Sequence, residues 1–398
     1  MTDRVNAVID AIKKSSLKQV ILYGPPGTGK THLAQRVAEE LVSSTLKSPK
    51  LFEQHWKAFV EFLRRNYLNR QFTARTKSGK VKTAKVVKVN DKQVRLEIEG
   101  VARGVGIRRF KKKVAEEAEY DPSKFKKGGS GDVPAELLMS LFLGQFLNHF
   151  VKANLASFIT LVQFHPSYSY EDFVRGIRAK TTEGQVVYET VNKTFGHVCE
   201  QALANPEKTF VLIVDEINRA NLPAVLGELI YGLEYRGRPV ETPYEINGTF
   251  TLVVPENLVV IGTMNTADRS IGSIDYAVRR RFLFFPVRAD KKAITNQKAR
   301  RLYEQVVERL FTPERLSVDF QDAAEDLKVG HTYFLGTDEE VAYKFTYQVV
   351  PLIEEYLKDG VFKNEEVVKE VFTDTFGKEG ENWHELSPET VLKSLRAF

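Results

Sequence analysis

Residues 19–31 read QVILYGPPGTGKT, an apolar run that enters a glycine- and proline-rich loop and continues into a helical pattern. The loop, Gly24 to Thr31, matches the P-loop pattern G-x-x-x-x-G-K-[ST] at every position and stands between a predicted strand and a predicted helix. Its glycines allow backbone N–H groups to turn toward phosphates, and the start of the next helix attracts anions. The stretch predicts a nucleoside-triphosphate site in an α/β fold, whereas a turn that only links strand and helix explains the full match poorly.

The side chains of this loop have separate predicted roles. Lys30 is expected to contact the β- and γ-phosphates, and the Thr31 hydroxyl is expected to bind Mg²⁺. The residues of the loop and first helical turn that are predicted to bind the nucleotide are Gly24, Pro25, Pro26, Gly27, Thr28, Gly29, Lys30, Thr31 and His32.

A second apolar run, TFVLIVDEI at 209–217, ends in two acidic residues. A run without polar alternation is typical of a central parallel strand, and open α/β sheets bind ligands at the carboxyl ends of such strands. Asp215 is therefore predicted to hold Mg²⁺ and Glu216 to polarise the attacking water. Because acidic pairs at strand ends are common, this prediction depends on the P-loop beside it.

Two further stretches narrow the class of P-loop protein. The apolar run at 258–265 ends in Asn265, whose amide is predicted to lie between Glu216 and the γ-phosphate. Three arginines, 279–281, then precede another apolar strand. They are either a solvated basic helix end or an arginine finger that stabilises transition-state charge in a neighbouring subunit, and their position after Asn265 favours the finger.

Composition limits the remaining possibilities. The chain has 398 residues, 42% hydrophobic and 28% charged, which is ordinary for a folded protein and long enough for two structural units or one unit with a large insertion. Cys199 is the single cysteine, so no internal disulfide forms and a reducing, cytoplasmic location is expected. The N-terminus lacks the apolar core of a signal peptide, and no membrane association is expected.

The pattern along the chain predicts an α/β nucleotide-binding domain at 1–288 and a helical lid domain at 289–398. Residues 66–132 are predicted to be a small basic β-rich insertion in the first domain, because alternating apolar and basic residues replace the α/β texture there. Within the α/β domain, residues 170–179 are predicted to be a helix. Hairpins are expected at 182–190 and near 240–254.

Three stretches, GPPGTGKT, VDEINRAN and MNTADRSIGSIDYAVRRRF, together resemble the AAA+ motor subunit of McrB-type, modification-dependent restriction systems. FHPSYSYEDFVRGIR and GHTYF are also similar to stretches of that family. GPPGTGKT is shared by very many AAA+ proteins, but MNTADRS followed by DYAVRRRF is typical of a narrow group of them. The resemblance covers most of 19–35, 157–287 and 328–357.

The resemblance implies further roles for residues of this chain. It gives Asn265 the role of first sensor, and it makes Arg280 and Arg281 the arginines that act in trans, with Arg280 as the first choice. It implies that Asp268 and Arg269 help to build the site between subunits. It also places His331 where a second sensor would lie, although an ordinary packed histidine is an equal alternative.

The family's wider properties are expectations for this chain. The resemblance implies a homo-oligomer, a hexameric ring with nucleotide at its subunit interfaces, GTP favoured over ATP, DNA as the polymer, and an McrC-like nuclease subunit as partner. The [NT]KxD signature of small GTPases is absent, so the preference for GTP depends on the resemblance alone. The chain shows no convincing nuclease constellation, and we expect cleavage in the partner.

The basic insertion departs from the family pattern. Residues 70–127 contain 18 Lys or Arg and seven Asp or Glu, a net charge of +11, while the whole chain carries +6. The insertion is either a DNA-binding element that contacts phosphates, or a solvated structural insert or contact for the nuclease. An ATP-dependent AAA+ protein-remodelling machine of the MoxR or dynein-related kind is the alternative for the whole chain, since it uses the same P-loop and acids.

Overall fold

The computed structural model describes residues 2–47, 51–75, 81–108, 110–111, 133–182, 184–267 and 274–398. It divides into two compact units. The first unit consists of Met1–Ala38, Leu161–Gln201 and Val211–Phe398, and the second of Glu39–Thr160 and Ala202–Phe210.

The described strands are numbered in chain order. They are β1 (Gln19–Gly24), β2 (Gln71–Arg75), β3 (Val81–Asn90), β4 (Gln93–Ile98), β5 (Val101–Gly106), β6 (Ile159–Gln163), β7 (Arg175–Thr182), β8 (Gln185–Asn192), β9 (Phe210–Asp215), β10 (Pro239–Ile246), β11 (Thr249–Val253), β12 (Leu258–Asn265) and β13 (Leu283–Pro286).

The described α-helices are numbered in the same way. They are α1 (Thr2–Lys14), α2 (Lys30–Leu46), α3 (Phe52–Asn66), α4 (Val133–Leu141), α5 (Leu147–Asn154), α6 (Tyr170–Phe173), α7 (Thr194–Leu203), α8 (Leu222–Leu226), α9 (Leu229–Glu234), α10 (Tyr276–Arg279), α11 (Gln297–Tyr303), α12 (Ala324–Leu327), α13 (Asp338–Lys344), α14 (Val350–Lys358), α15 (Glu365–Phe376) and α16 (Pro388–Ala397). Shorter 3₁₀ and π segments are Phe142–Phe146, Leu155–Ser157, Ile217–Arg219, Lys291–Ala293, Glu304–Glu308, Val318–Ala323, His331–Phe334, Phe345–Val349 and Gly377–Glu385.

The predicted central sheet is confirmed. Its five strands lie in the order β13-β1-β12-β9-β6, and β1 pairs in parallel with both β12 and β13. The side chains of β9 from Phe210 to Val214 are all buried, which explains the unbroken apolar run in the sequence. Because β1, β9 and β12 run in the same direction, the P-loop, Asp215 and Asn265 meet at one edge of the sheet.

The C-terminal region is helical, as predicted. The described residues from Lys291 to the C-terminus form helices joined by loops, around a core that includes the fully buried Tyr303, Phe334, Phe345 and Trp383. Each such aromatic side chain removes a large apolar area from water, so the region has its own core. The domain boundary at 288/289 itself stays a prediction.

The second unit contains an antiparallel sheet in the order β2-β3-β4-β5, inside the predicted insertion. Its inner face, with Val86 and Leu96, joins a buried cluster that also contains Phe59 of α3 and Phe142. The rings of Phe59 and Phe142 lie 5.0 Å apart, edge to face. The compact unit is thus wider than 66–132, because helices before and after the sheet pack on the same core.

The helix predicted at 170–179 is wrong beyond its first turn. A capping box between Ser169 and Asp172 begins α6, but the helix ends at Phe173 and Arg175 opens the strand β7. The Arg175 guanidinium donates to the Thr242 hydroxyl at 2.6 Å and to the Thr251 carbonyl at 2.8 Å, which ties β7 to the neighbouring hairpin β10–β11. Tertiary contacts of this kind override a helical pattern, and the hairpin β7–β8 is longer than predicted.

Candidate nucleotide site

The P-loop follows β1 as a tight turn with its lysine folded back. Gly27 and Gly29 have φ angles of 72° and 81°, a region that only glycine adopts without strain. Lys30 begins α2, and its Nζ donates to the carbonyl oxygens of Gly24 at 2.9 Å and Pro25 at 2.8 Å. The carbonyl oxygens of the loop therefore fix the position of the Lys30 ammonium group.

The charged end of Lys30 is buried. Its residue is 7% exposed, and burial lowers the pKa of its ammonium group to about 8, while the charges of Glu216 and Asp215 act in the opposite direction. A buried cation with a lowered pKa gains from an anion at close range, because the anion replaces the lost hydration. The negatively charged oxygens of a phosphate group would complement this buried ammonium group.

Asp215 joins the P-loop to the neighbouring strand. The Thr31 hydroxyl donates to Asp215 Oδ1 at 2.8 Å, and the Thr263 hydroxyl of β12 donates to the same oxygen at 2.6 Å. Hydroxyl and carboxylate oxygens are the hard ligands that Mg²⁺ prefers, and two of them already lie together beside the phosphate loop. Thr31 and Asp215 therefore fit a magnesium site, at which the bound ion would neutralise charge on the phosphate oxygens.

Glu216 is held in place by its backbone and by its side chain. Its φ of 53° lies in the left-handed region, which a residue other than glycine adopts only at a cost, and its N–H donates to Thr263 Oγ1 at 3.1 Å. Asn265 Nδ2 donates to Glu216 Oε1, and Arg219 Nε lies 3.5 Å from Oε2. The carboxylate predicted to act on water thus has a fixed direction at the sheet edge.

The structure separates the two arginines predicted to act in trans. Arg281 is 9% exposed at its side chain, where it contacts Glu234 at 2.7 Å and donates to the Ala277 carbonyl at 2.5 Å. Arg280 is 67% exposed, and its guanidinium lies 4.0 Å from the Glu234 carboxylate. A buried arginine with partners in its own chain stabilises that chain. The exposed Arg280 is therefore better placed than Arg281 to reach another subunit, and both roles in trans stay predictions.

The lid segment after α12 lies directly on the P-loop. Gly330 N–H donates to the Pro26 carbonyl at 3.0 Å, and Thr332 N–H donates to the Gly27 carbonyl at 2.9 Å. A Cβ atom on Gly330 would lie 1.9 Å from the Gly27 carbonyl carbon, so only glycine allows this approach. His331 Nδ1 accepts from the Asp290 N–H at 3.2 Å, and burial lowers the pKa of the ring, while its contact with the nucleotide stays a prediction.

Comparisons with known proteins agree with this geometry. Residues 20–90 match the family model described as "ATPase family associated with various cellular activities (AAA)". Residues 145–282 match the one described as "AAA domain (dynein-related subfamily)". The chain has the AAA+ fold.

Two curated relatives are similar to part of this chain. The Escherichia coli K12 type IV methyl-directed restriction enzyme EcoKMcrB subunit is 33% identical over 237 residues, which are 54% of this chain and 51% of that protein. The Bacillus subtilis 168 type II restriction enzyme BsuMI component YdiS is 27% identical over 177 residues, 35% of this chain and 51% of that protein. The first confirms the resemblance to McrB-type AAA+ proteins. The chain spans about half the length of the curated relatives it matches.

Three predicted residues of the AAA+ site have no structural account of their role. Asp268 and Arg269 lie outside the described residues, so their part in the site stays a prediction. His32, on the first turn of α2, is exposed.

None of the described helices is long and apolar enough to cross a membrane.

Sequence reasoning missed two residues of the AAA+ site. Thr263 contacts both acids, and its signal was a polar residue two positions before Asn265, on the same face of a buried strand. Arg219 contacts Glu216 from three residues along the chain. Its signal was an arginine in the turn directly after the acidic pair.

Proposed function

We propose that this chain hydrolyses GTP in preference to ATP, with Mg²⁺, as a hexameric ring motor that drives DNA translocation for an McrC-like nuclease subunit. The AAA+ fold makes it a member of a class of nucleoside-triphosphate hydrolases. The observation that carries the proposal is the sheet edge where Thr31 and Asp215 share a hydrogen bond of 2.8 Å and Asn265 directs the Glu216 carboxylate.

The chain's own groups have defined tasks in this reaction. Lys30 and the loop N–H groups bind the phosphates and fix the terminal phosphorus at the sheet edge. Glu216 accepts a hydrogen bond from the attacking water and draws its proton away, while Asn265 keeps that carboxylate in line. Phosphoryl transfer needs positioning and charge stabilisation more than covalent help, which matches a site built of fixed polar groups.

The proposal of a ring depends on the exposure of Arg280. Within the described residues, Arg280 is the exposed member of the predicted pair, and its own chain gives it no close partner at the sheet edge. An arginine finger supplied by a neighbour raises turnover by roughly 10³- to 10⁵-fold in comparable enzymes. A closed ring of identical subunits gives every site such a neighbour.

The restriction context rests on the two relatives. One is named as a subunit of a methyl-directed restriction enzyme and the other as a component of a restriction enzyme. A role on DNA, and with it a cytoplasmic location, follows for this chain if the similarity extends to function. The preference for GTP has the McrB-type resemblance as its support.

A second candidate is an ATP-dependent machine that remodels proteins, of the MoxR or dynein-related kind. The match of residues 145–282 to the dynein-related subfamily favours it. The basic insertion favours the DNA motor, because an acidic polymer complements it.

Turnover of GTP and ATP by the purified chain decides between the two candidates. Each nucleotide is tested alone, with duplex DNA, and with the McrC-like subunit. GTP hydrolysis stimulated by that subunit is the expected result. Hydrolysis of ATP alone, stimulated by an unfolded polypeptide and indifferent to DNA, would support the remodelling machine.

Mixing two inactive variants tests the shared site. Arg280→Ala removes the predicted finger, and Glu216→Gln removes the carboxylate that acts on water. If the site is shared, mixed rings contain interfaces with both groups intact, and activity returns. Arg281→Ala mixed with Glu216→Gln is the matched control for the neighbouring arginine. Failure of the first mixture to regain turnover argues against catalysis across an interface.

A further inference from the structure

The four-stranded sheet of the second unit has an outer face that the nucleotide site does not use. Inward side chains such as Val86, Val94 and Leu96 are buried, so their neighbours in the pleat point to solvent. Lys88 of β3 and Arg95 of β4 are both exposed and are directly paired across the two strands. Two cations therefore lie side by side on open sheet.

This juxtaposition depends on a β-bulge. The register shifts between Val86 and Lys88, so that Val86 faces Leu96 while Lys88, rather than Val87, faces Arg95. Without the extra residue, strict alternation from the buried Val86 would turn Lys88 inward. Bulges re-aim side chains in this way. Like charges placed directly opposite each other destabilise a sheet, so folding alone gives no reason for the arrangement.

The local acids do not neutralise this end of the sheet. Residues 81–108 contain seven Lys or Arg and three Asp or Glu. Asp91 contacts Arg64 at 3.1 Å, and Glu99 contacts Lys82 at 2.6 Å. The third acid, Glu97, is paired in register with Lys85. Lys88 and Arg95 have no ion pair with any residue that the structure describes, and the β3–β4 turn, two register positions further along, adds the exposed Lys92.

Among the residues that the structure describes, no exposed aromatic side chain stands on the outer face of β3, β4 and β5. Gly104 of β5 faces Arg95, and a Cβ there would lie 3.7 Å from Arg95 Cγ, so the arginine stem lies over bare backbone. Phe72 of β2 and Phe110 after β5 are buried in the core. Single strands are held largely by stacking of bases on aromatic side chains, whereas a duplex backbone needs only cations.

We propose that the outer face formed by Lys88, Lys92 and Arg95 binds the phosphate backbone of duplex DNA, without sequence preference. Charge complementarity identifies the occupant, and the bulge explains how the face is built. The inference rests on the proposed function in so far as DNA is its polymer. Its test needs no nucleotide, so it fails or succeeds separately from hydrolysis.

The test is the affinity of the full chain for a short blunt DNA duplex, measured over about 50 to 200 mM salt. The variant is Lys88→Gln with Arg95→Gln, which removes two cations from the solvent face. We expect affinity to fall by roughly tenfold or more and the slope of log K against log salt to decrease by about two, near 0.9 for each lost phosphate contact. Thermal stability should be equal or higher, because the opposed charges are gone.

The matched control is Lys358→Gln with Lys363→Gln, which removes two exposed cations from the first unit. It should leave both affinity and slope close to wild type. The proposal is overturned if wild type does not bind the duplex at low salt, if both double variants lose affinity equally, or if a polyglutamate peptide depends on Lys88 and Arg95 while the duplex does not. That last result would assign the face to an acidic protein segment.

Discussion

The two sheets of this chain treat charge in opposite ways. At the edge of the five-stranded sheet, Lys30 is 7% exposed and the acids Asp215 and Glu216 are held by hydroxyl and amide groups within hydrogen-bond distance. On the four-stranded sheet, Lys88 and Arg95 face water without a described partner. Charges in a buried, low-dielectric site interact strongly, whereas charges exposed to water interact weakly and are screened by salt.

The difference suits the two tasks that we propose for this chain. Chemistry on one phosphate requires desolvated groups in fixed positions, and the protein accepts a lowered pKa and a strained backbone to obtain them. Binding a long polyanion requires many solvated cations and little precision. Substitutions in the first region should therefore change rate, and those in the second should change the salt dependence of binding.

The largest effect is expected from Glu216→Gln, which keeps the shape of the side chain and removes its basicity. Turnover should fall by roughly 10³-fold while nucleotide binding is retained, since general bases contribute 10²- to 10⁴-fold. Phosphate release under single- and multiple-turnover conditions measures it. Glu241→Gln, an exposed acid on β10, serves as the control. Near-normal turnover in E216Q would remove Glu216 from the reaction.

A pH effect is expected from His55, which is fully buried in the second unit with its ring 5.3 Å from that of Phe150. Burial lowers the pKa of His55 to about 4, from 6.5. Between these values the unfolded chain binds the extra proton, so the free energy of unfolding rises with pH and is lost on acidification, by up to about 3 kcal/mol. Urea unfolding at both ends of this range should show a smaller difference in His55→Leu. An equal difference in both chains contradicts the prediction.

Opposite effects on stability and turnover are expected from substituting the two arginines. Arg281→Ala removes buried contacts with Glu234 and the Ala277 carbonyl, and should lower the free energy of unfolding by about 2 kcal/mol. Arg280→Ala should lower it by about 0.5 kcal/mol or less, as for an exposed side chain, and should instead reduce turnover. Denaturant unfolding and turnover measured on both variants test this difference. Equal losses of stability in the two variants would contradict the prediction that only Arg281 stabilises its own chain.

The smallest effect is expected from Arg219→Ala. Its guanidinium lies 3.5 Å from Glu216 and is partly solvated, so it contributes modestly to holding that carboxylate. We expect kcat to fall by about two- to fivefold, as for exposed ion pairs, with KM unchanged. Arg219→Lys should restore most of the loss. A change in KM alone would place Arg219 in nucleotide binding instead.

Much of the nucleotide site could be predicted because its chemistry is local in sequence. Gly24–Thr31 and the acids after β9 are contiguous motifs, and parallel strand direction alone brings them together. Thr263 could not be assigned in the same way, because its role arises from pairing between strands far apart in the chain. The helix predicted at 170–179 was wrong for a related reason, because Arg175 donates a hydrogen bond to Thr242 in a hairpin that is distant in sequence.

The same limit applies to the second unit. Alternation in the sequence predicted a basic β-module, and the sheet lies inside the predicted segment. Alternation did not predict that α3 and Phe142 share its core, because helical segments with apolar faces do not show in sequence which sheet they cover. Nor did it show the bulge after Val86, which changes the side of the sheet that Lys88 reaches.

The contact between Gly330 and Gly27 is backbone on backbone. A side chain at such a junction would bend and absorb small movements, but peptide groups joined by hydrogen bonds at Pro26 and Gly27 are stiff. A change in the conformation of the loop is therefore expected to displace the backbone at Gly330 as well. The P-loop and the segment that begins at Gly330 are thus joined by peptide groups, with no side chain between them.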